Sequence, residues 1–381
     1  MSSTVIPRYV GSNRTEVRAT TPVTKVDRVR AIPKSAKPLL LTIGAVVAAM
    51  LVLVGCTTEP LDAGSGSSSA KPQLRSGPST ATLDGPAVIP IADNPVSALP
   101  ATADSVASGS QPAGKVTVTD ASRIVAVDRN GTLGNIVFSL GLGSQVVGRD
   151  MSTTFPQAAK LPVVTNRGHS LNAEATLALN PSVVLVDSQT IPPQAVEQIR
   201  SSGIPVVAFS STRTIESTPA LITSVATALG VPDAGAKLVA RTKTQIDAMR
   251  TALPSPTGNP RMAFLYIRGP RLILLAGPNS GADNLVAALG GRDAGTASGL
   301  TGAFTAVNAE ALANANPDVV LVMTQGADSV GGVDGVLKLP GLAETNAGKA
   351  RRIISMDETE ILSFGPDVGR VLQALAKSIY Q

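Results

Sequence analysis

From about residue 117 onward the chain alternates two hydrophobic patterns. Short unbroken Val/Ile/Leu runs predict strands buried on both faces: RIVAVD (123–128), SVVLVD (182–187), PVVAFS (205–210), RMAFLYI (261–267), DVVLVM (318–323) and RRIISM (351–356). Longer periodic segments between them predict helices: GTLGNIVFSLGL, PQAVEQIRSSG, ESTPALITSVATALG and GADNLVAALGG, several of them closed by glycine. Strand and helix in alternation predict an α/β fold with mostly parallel sheets.

The pattern occurs twice. LNAEATLALNPSVVLV (171–186) matches VNAEALANANPDVVLV (307–322) without a gap, aligning Asn172 with Asn308, Glu174 with Glu310 and Pro181 with Pro317. Each copy reads as an asparagine cap, one helix, an Asn-Pro break and a strand. Two copies predict two lobes of similar construction. The stretch between them, PDAGAKLVARTKTQIDAMRTAL (232–253), places Leu238, Val239, Thr242, Ile246 and Met249 on one face of a single helix. Such a helix is about 30 Å long and would bridge the lobes rigidly.

Before residue 117 the text differs. Residues 1–37 hold eight Lys and Arg against two acids, a net +6, so the whole-chain +5 leaves −1 for the rest. The basicity belongs to this tail, and nucleic-acid binding loses its main support. Residues 39–54, LLLTIGAVVAAMLVLV, carry no charge but are short for a permanent span. Basic stretch, apolar stretch and small residues together predict a signal peptide. Its ending, Leu53-Val54-Gly55-Cys56, resembles the lipobox of bacterial lipoproteins, which implies cleavage before Cys56 and acylation of that residue, the one cysteine of the chain. Residues 57–115 are rich in Ser, Gly, Pro, Ala and Thr and read as a flexible tether. Within them AVIPIA (87–92) is the one patch able to dock, although four prolines between 86 and 100 argue against a central strand. The expected organisation is a signal peptide over 1–55, lipidated Cys and linker over 56–116, an N-terminal lobe over 117–230, the bridging helix over 231–254 and a C-terminal lobe over 255–381.

Composition removes whole classes of function. One His and one Cys cannot build a Cys/His zinc site, and one Cys forms no internal disulfide. Aromatics make up 2% with no Trp, which removes stacking platforms for single-stranded nucleic acid. The chain has neither a G-x-x-x-x-G-K-[ST] phosphate loop nor a G-x-S-x-G nucleophile elbow, so no enzymatic activity is expected. The acidic run Asp357-Glu358-Thr359-Glu360 reads as a solvated loop after a strand, with a carboxylate pair or cation site as the alternative.

Three residues stand out in the lobes. His169, the one histidine, lies in the loop VVTNRGHSLNAE ahead of the first repeat helix. Tyr266 ends the strand that opens the second lobe, and Arg268 follows two positions later, on the same side of an extended chain. By themselves these read as a solvated loop histidine and a strand-end tyrosine with a wet hydroxyl. Arg149 and Arg167 read as surface charges, and Tyr380 as terminal packing.

The N-x-E motif and the A-L-N-P-S-V-V-L-V-like segment, present in both lobes, resemble the substrate-binding proteins of bacterial ABC importers. In that class, which takes vitamin B12, siderophores and haem, one rigid helix joins the lobes. G-H-S in one lobe and Y-I-R-G in the other resemble the haemin-binding lipoproteins of ABC haem importers (HmuT-like). That resemblance implies haemin, Fe(III) protoporphyrin IX, clamped between His169 and Tyr266 as axial ligands, with Arg268 holding the tyrosine hydroxyl. It implies Glu174 and Glu310 as docking residues for permease arginines, against a plainer role as capping-box acids. It also implies a monomer anchored on the outer face of the cell membrane, with the permease, its ATPase and haem-carrying surface proteins as partners. A siderophore or B12 binder is the alternative within the class.

Overall fold

The computed structural model describes residues 74–85, 87–255 and 257–381. Cys56 and the apolar stretch 39–54 lie outside them. Among the described residues no helix is long and apolar enough to cross a membrane.

All six apolar runs form strands, because each is shielded on both faces. The first lobe is a four-stranded parallel sheet in the order Val146–Arg149, Ile124–Val127, Val183–Asp187, Val206–Phe209, in register through Ile124 opposite Val183 and Val184 opposite Val206. Its three strands Ile124–Val127, Val183–Asp187 and Val206–Phe209 are buried along their whole length. The second lobe centres on the parallel strands Ile353–Met356, Val319–Met323 and Arg261–Ile267, and continues antiparallel through Ile273–Ala276 and Phe304–Ala306.

The two repeat copies fold alike. Asn172 caps the helix Ala173–Leu177 by accepting from the Ala175 N–H at 3.0 Å, and Asn308 caps Ala309–Ala315 through Ala311 at 2.8 Å. Each copy then breaks at an asparagine in the left-handed region, Asn180 at φ 47° and Asn316 at φ 36°, directly before its proline. The chain thus turns from helix into strand at the same place in both lobes.

The bridging helix runs over Pro232–Ala252, 21 residues, with Leu238, Thr242, Ile246 and Met249 buried and Val239 half-buried. It packs on Thr218–Ala228 of the first lobe and on the C-terminal helix Val368–Tyr380 of the second. A Cβ on Gly235 would stand 2.4 Å from Cβ of Ala226, so this crossing needs a glycine.

The flexible linker expected over 56–116 is corrected from residue 74 onward. Ser79–Thr80 adds a parallel strand to the second lobe beside Ile354 and Ser355, with Leu74 and Leu83 against that core. Past Pro86 the chain changes lobes. Val88 is buried in the first core, and Ala101–Ser105 pairs antiparallel with Gly114–Val118. Small residues such as Ala81, Ala103 and Ser105 fill this packing, so the segment orders without aromatic or bulky side chains. The helix is therefore accompanied by a second crossing between lobes, tied down where Arg370 donates to the Asp84 and Gly85 carbonyls at 2.9 and 2.7 Å.

Candidate functional site

The parallel strands of each lobe end on one edge, where ligands of open α/β sheets bind. On the first lobe that edge carries Asp128, Asp150, Asp187 and the loop Ser210–Arg213; on the second it carries Arg268, Thr324 and Asp357–Glu360. The segment Leu362–Asp367 closes the base between them. Its Leu362, Phe364 and Pro366 carbonyls accept from Asn130 Nδ2, Thr218 Oγ1 and Thr242 Oγ1 at 2.9, 2.7 and 3.2 Å.

His169 tips a hairpin between Thr165–Asn166 and Ser170–Leu171, in the left-handed region at φ 63°, its N–H donating to the Asn166 carbonyl at 3.1 Å. The ring is half-buried, and Nδ1 lies 3.4 Å from Ser152 Oγ. That hydroxyl gives its proton to the Arg129 carbonyl at 2.7 Å, so it can only accept from the imidazole. The lone pair then sits on Nε2. Burial lowers the imidazole below its usual range; the Arg129 and Arg268 charges act the same way and Asp128 opposes them. The shift favours the neutral ring, the form that can bind a metal. It borders a cavity of about 250 Å³ shared with Asp128, Arg129, Thr165, Asp187 and Arg213.

Tyr266 is half-buried near the end of Arg261–Ile267 and meets Phe304 edge-on, ring centroids 6.1 Å apart at 65°. Arg268 lies on the same side, its guanidinium 4.7 Å from the tyrosine ring centroid. The arginine therefore faces the ring and gives its hydrogen bond to the Ile267 carbonyl at 3.0 Å. Arg268 belongs to the second lobe, and its charge reaches His169 of the first.

Two features escaped the sequence reading. The run 357–360 is no solvated loop: Asp357 caps a short helix, Glu358–Ile361, and the Glu358 side chain is only 11% exposed. The second is a buried polar group beneath His169. Arg213 Nη2 donates to Asp128 Oδ2 at 3.0 Å and lies 4.0 Å from Asp187 Oδ2. Asp128 also accepts from the N–H groups of Asn130, Thr132 and Leu133, which ties the helix Thr132–Ser139 to the strand edge. RIVAVD and SVVLVD both end in aspartate at the strand terminus, which was the available signal.

A family model described as periplasmic binding protein matches residues 125–360. The chain belongs to the periplasmic binding protein family. It is a substrate-binding protein and not an enzyme. A curated relative, the uncharacterized ABC transporter substrate-binding lipoprotein YvrC of Bacillus subtilis, is 25% identical over 248 residues, 64% of this chain and 76% of its own. Among solved structures the haem-binding protein HmuT superposes with a TM-score of 0.73 at 35% identity, over 80% of this chain and 97% of that one. Matching structures include variants of that protein with one His, one Tyr or one Arg replaced by Ala. The periplasmic haem-binding protein RhuT from Roseiflexus sp. RS-1 superposes with a TM-score of 0.64 at 38% identity, over 68% and 98%.

On this binding-protein frame Glu174 and Glu310 occupy the same place, the second residue of a capped helix, and both are exposed. Each glutamate stands one position before the third helical residue that a capping-box acid occupies, and among the described residues neither carboxylate has a partner. Arg167 is exposed, whereas Arg149 is half-buried with Nη1 on the Asp150 carbonyl at 3.1 Å. Tyr380 packs by donating its hydroxyl to the Leu289 carbonyl at 2.8 Å.

Proposed function

We propose that this binding protein is a lipoprotein, acylated at Cys56, that captures ferric haem between its lobes and delivers it to an ABC permease and its ATPase. The observation that carries the reading is that Arg268, stacked on Tyr266 in the second lobe, lies near enough to the first lobe for its charge to reach His169. Imidazole and phenolate both suit ferric iron. A free tyrosine ionises near 10, so the phenolate needs the iron and a nearby cation at neutral pH. Arg268 supplies the cation, and the Ser152 contact leaves His169 Nε2 free to bind.

Exposed apolar side chains on both lobes suit a porphyrin: Met151 and Ile191 on the first, Leu272 and Phe304 on the second. The His, Tyr and Arg variants among the similar haem-binding structures support the same three residue types. Glu174 and Glu310, exposed, unpartnered and equivalent in the two lobes, are assigned to permease docking.

A corrinoid is the second reading. It is favoured by a 25% identity over 130 residues to the vitamin B12-binding protein of Vibrio campbellii, 34% of this chain and 46% of that one. The two separate in one experiment. The full chain in detergent, titrated with haemin, should develop a saturable Soret band at one equivalent. Saturation by cyanocobalamin with no saturable haemin band would overturn the haem reading.

A further inference from the structure

Three adjacent parallel strands of the second lobe, Arg261–Ile267, Val319–Met323 and Ile353–Met356, end side by side, and the residues just beyond them meet. Arg268 Nη1 lies 3.9 Å from Glu358 Oε1. That same oxygen accepts from the Gly326 N–H at 3.1 Å. A Cβ on Gly326 would come within 3.0 Å of the Ile267 carbonyl and 3.7 Å of Arg268 Nη1, so the glycine leaves room for this approach. The second carboxylate oxygen, Oε2, is buried with no partner.

A buried acceptor without a donor is costly, and native proteins rarely keep one unused. Guanidinium and carboxylate pair best through two parallel bonds. Glu358 therefore presents half of a fork, one oxygen fixed by backbone and the other open, beside the arginine stacked on Tyr266. Arg268 is 42% exposed and, among the described residues, has no other acidic partner. Burial pushes the Glu358 carboxyl up, and the Gly326 N–H and the Arg268 charge pull it back.

We propose that Glu358 is the positioning residue for Arg268: its carboxylate, with Oε1 3.9 Å from Nη1, restrains the guanidinium against the face of Tyr266. The purpose of this restraint rests on the haem-site reading; the restraint itself does not. A merely structural Glu358, accepting from Gly326 in the first turn of a short helix, would act without Arg268.

The first test needs no ligand. The full chain is treated with phenylglyoxal, which modifies accessible arginines, and modified peptides are quantified by mass spectrometry for wild type, Glu358→Gln and Glu358→Asp. Arg268 should react roughly two- to fivefold faster in Glu358→Gln, the range for a partly exposed ion pair. Glu358→Asp keeps the charge and should fall between. Arg213 and Arg370, which have their own carboxylates, should not change. Equal Arg268 rates in wild type and Glu358→Gln would overturn the proposal, and so would an acceleration shared by Arg213 and Arg370, which reports a loosened fold.

The second test is haemin release into excess scavenger. Glu358→Gln should speed release by a similar factor, and should add nothing in an Arg268→Ala background. An effect that persists without Arg268 overturns the positioning role. Shielding of Arg268 as expected, with haemin capture indifferent to Arg268→Ala, would instead sink the haem-site reading and leave the restraint standing.

Discussion

Arg268 stacks its guanidinium 4.7 Å from the Tyr266 ring centroid and gives its hydrogen bond to the Ile267 carbonyl rather than to the tyrosine hydroxyl. The resemblance to haemin-binding lipoproteins implied a guanidinium on the hydroxyl. In the arrangement seen, the cation meets the electron-rich ring face, a contact worth about 0.5–1 kcal/mol at an exposed site. The guanidinium thus lies beside the ring without a direct bond to its hydroxyl.

The two proposed ligands should therefore fail in different ways. Tyr266→Ala should lose phenolate-to-iron charge transfer and leave histidine-only ligation. His169→Ala should keep that band and become five-coordinate or take up water. Resonance Raman spectra of haemin complexes check this; if both ligand variants match wild type, neither residue touches iron.

Deleting residues 74–116 should destabilise the protein by several kcal/mol. The segment supplies a strand to one lobe and a hairpin to the other, and side chains such as Val88 are worth about 1.5–3 kcal/mol each when buried. Urea melts of the full chain and the deletion compare directly. Equal midpoints would restore the view of this stretch as a tether.

That segment also marks where the sequence stops being legible. Strands buried on both faces must be continuous apolar runs, so Val183–Asp187 and Val319–Met323 were readable without any partner in view. Ala101–Ser105 and Gly114–Val118 bury only alternate or single positions, filled by Ala, Ser and Val, and their text looks like linker. Phe304–Ala306 is an edge strand with one half-buried residue, too short to leave a period. In the candidate site, His169 stood out by rarity and Tyr266 with Arg268 by spacing, while their proposed roles came from the resemblance to haemin-binding lipoproteins. Asp128 and Arg213 are 85 residues apart and join only through the sheet order, and Glu358 looked solvated because its burial depends on the neighbouring strand end.

The mature wild-type protein should begin at an acylated Cys56. Intact mass spectrometry of membrane-extracted protein decides it, and retention of residues 1–55 would refute the lipobox reading. Release of Cys56→Ala from membranes is a weaker test, since an uncut apolar stretch would itself hold the chain.

Replacing Glu174 and Glu310 together by Lys should leave haemin binding intact and impair uptake by cells. Both side chains are exposed and unpartnered among the described residues, so the fold has little at stake. If the proposed partners are permease arginines, two lysines turn attraction into a repulsion of several kcal/mol. Uptake equal to wild type would leave the pair as ordinary first-turn acids, worth about 0.3–1 kcal/mol each to their helices.

Glu360 should make the junction between the lobes sensitive to pH. It is half-buried beside a cavity of about 570 Å³ that it shares with Asn135 and Ser152 of the first lobe. Burial, then the charges of Asp357 and Asp367, push its carboxyl from 4.5 up to about 7, with Arg370 opposing. Between those values the folded protein holds a proton that the unfolded chain has released. Stability from this group is therefore fully present below about pH 4.5 and is lost as pH rises through about 7. Glu360→Gln keeps the shape and cannot ionise, so it should be more stable than wild type above pH 7, by a margin that shrinks on acidification. Asp150, pushed up by burial and by Asp128, titrates over a similar range in both proteins and cancels in the difference. Thermal melts of the two proteins across this range give the measurement. A difference that stays constant with pH would mean that Glu360 ionises as freely in the folded chain as in the unfolded one.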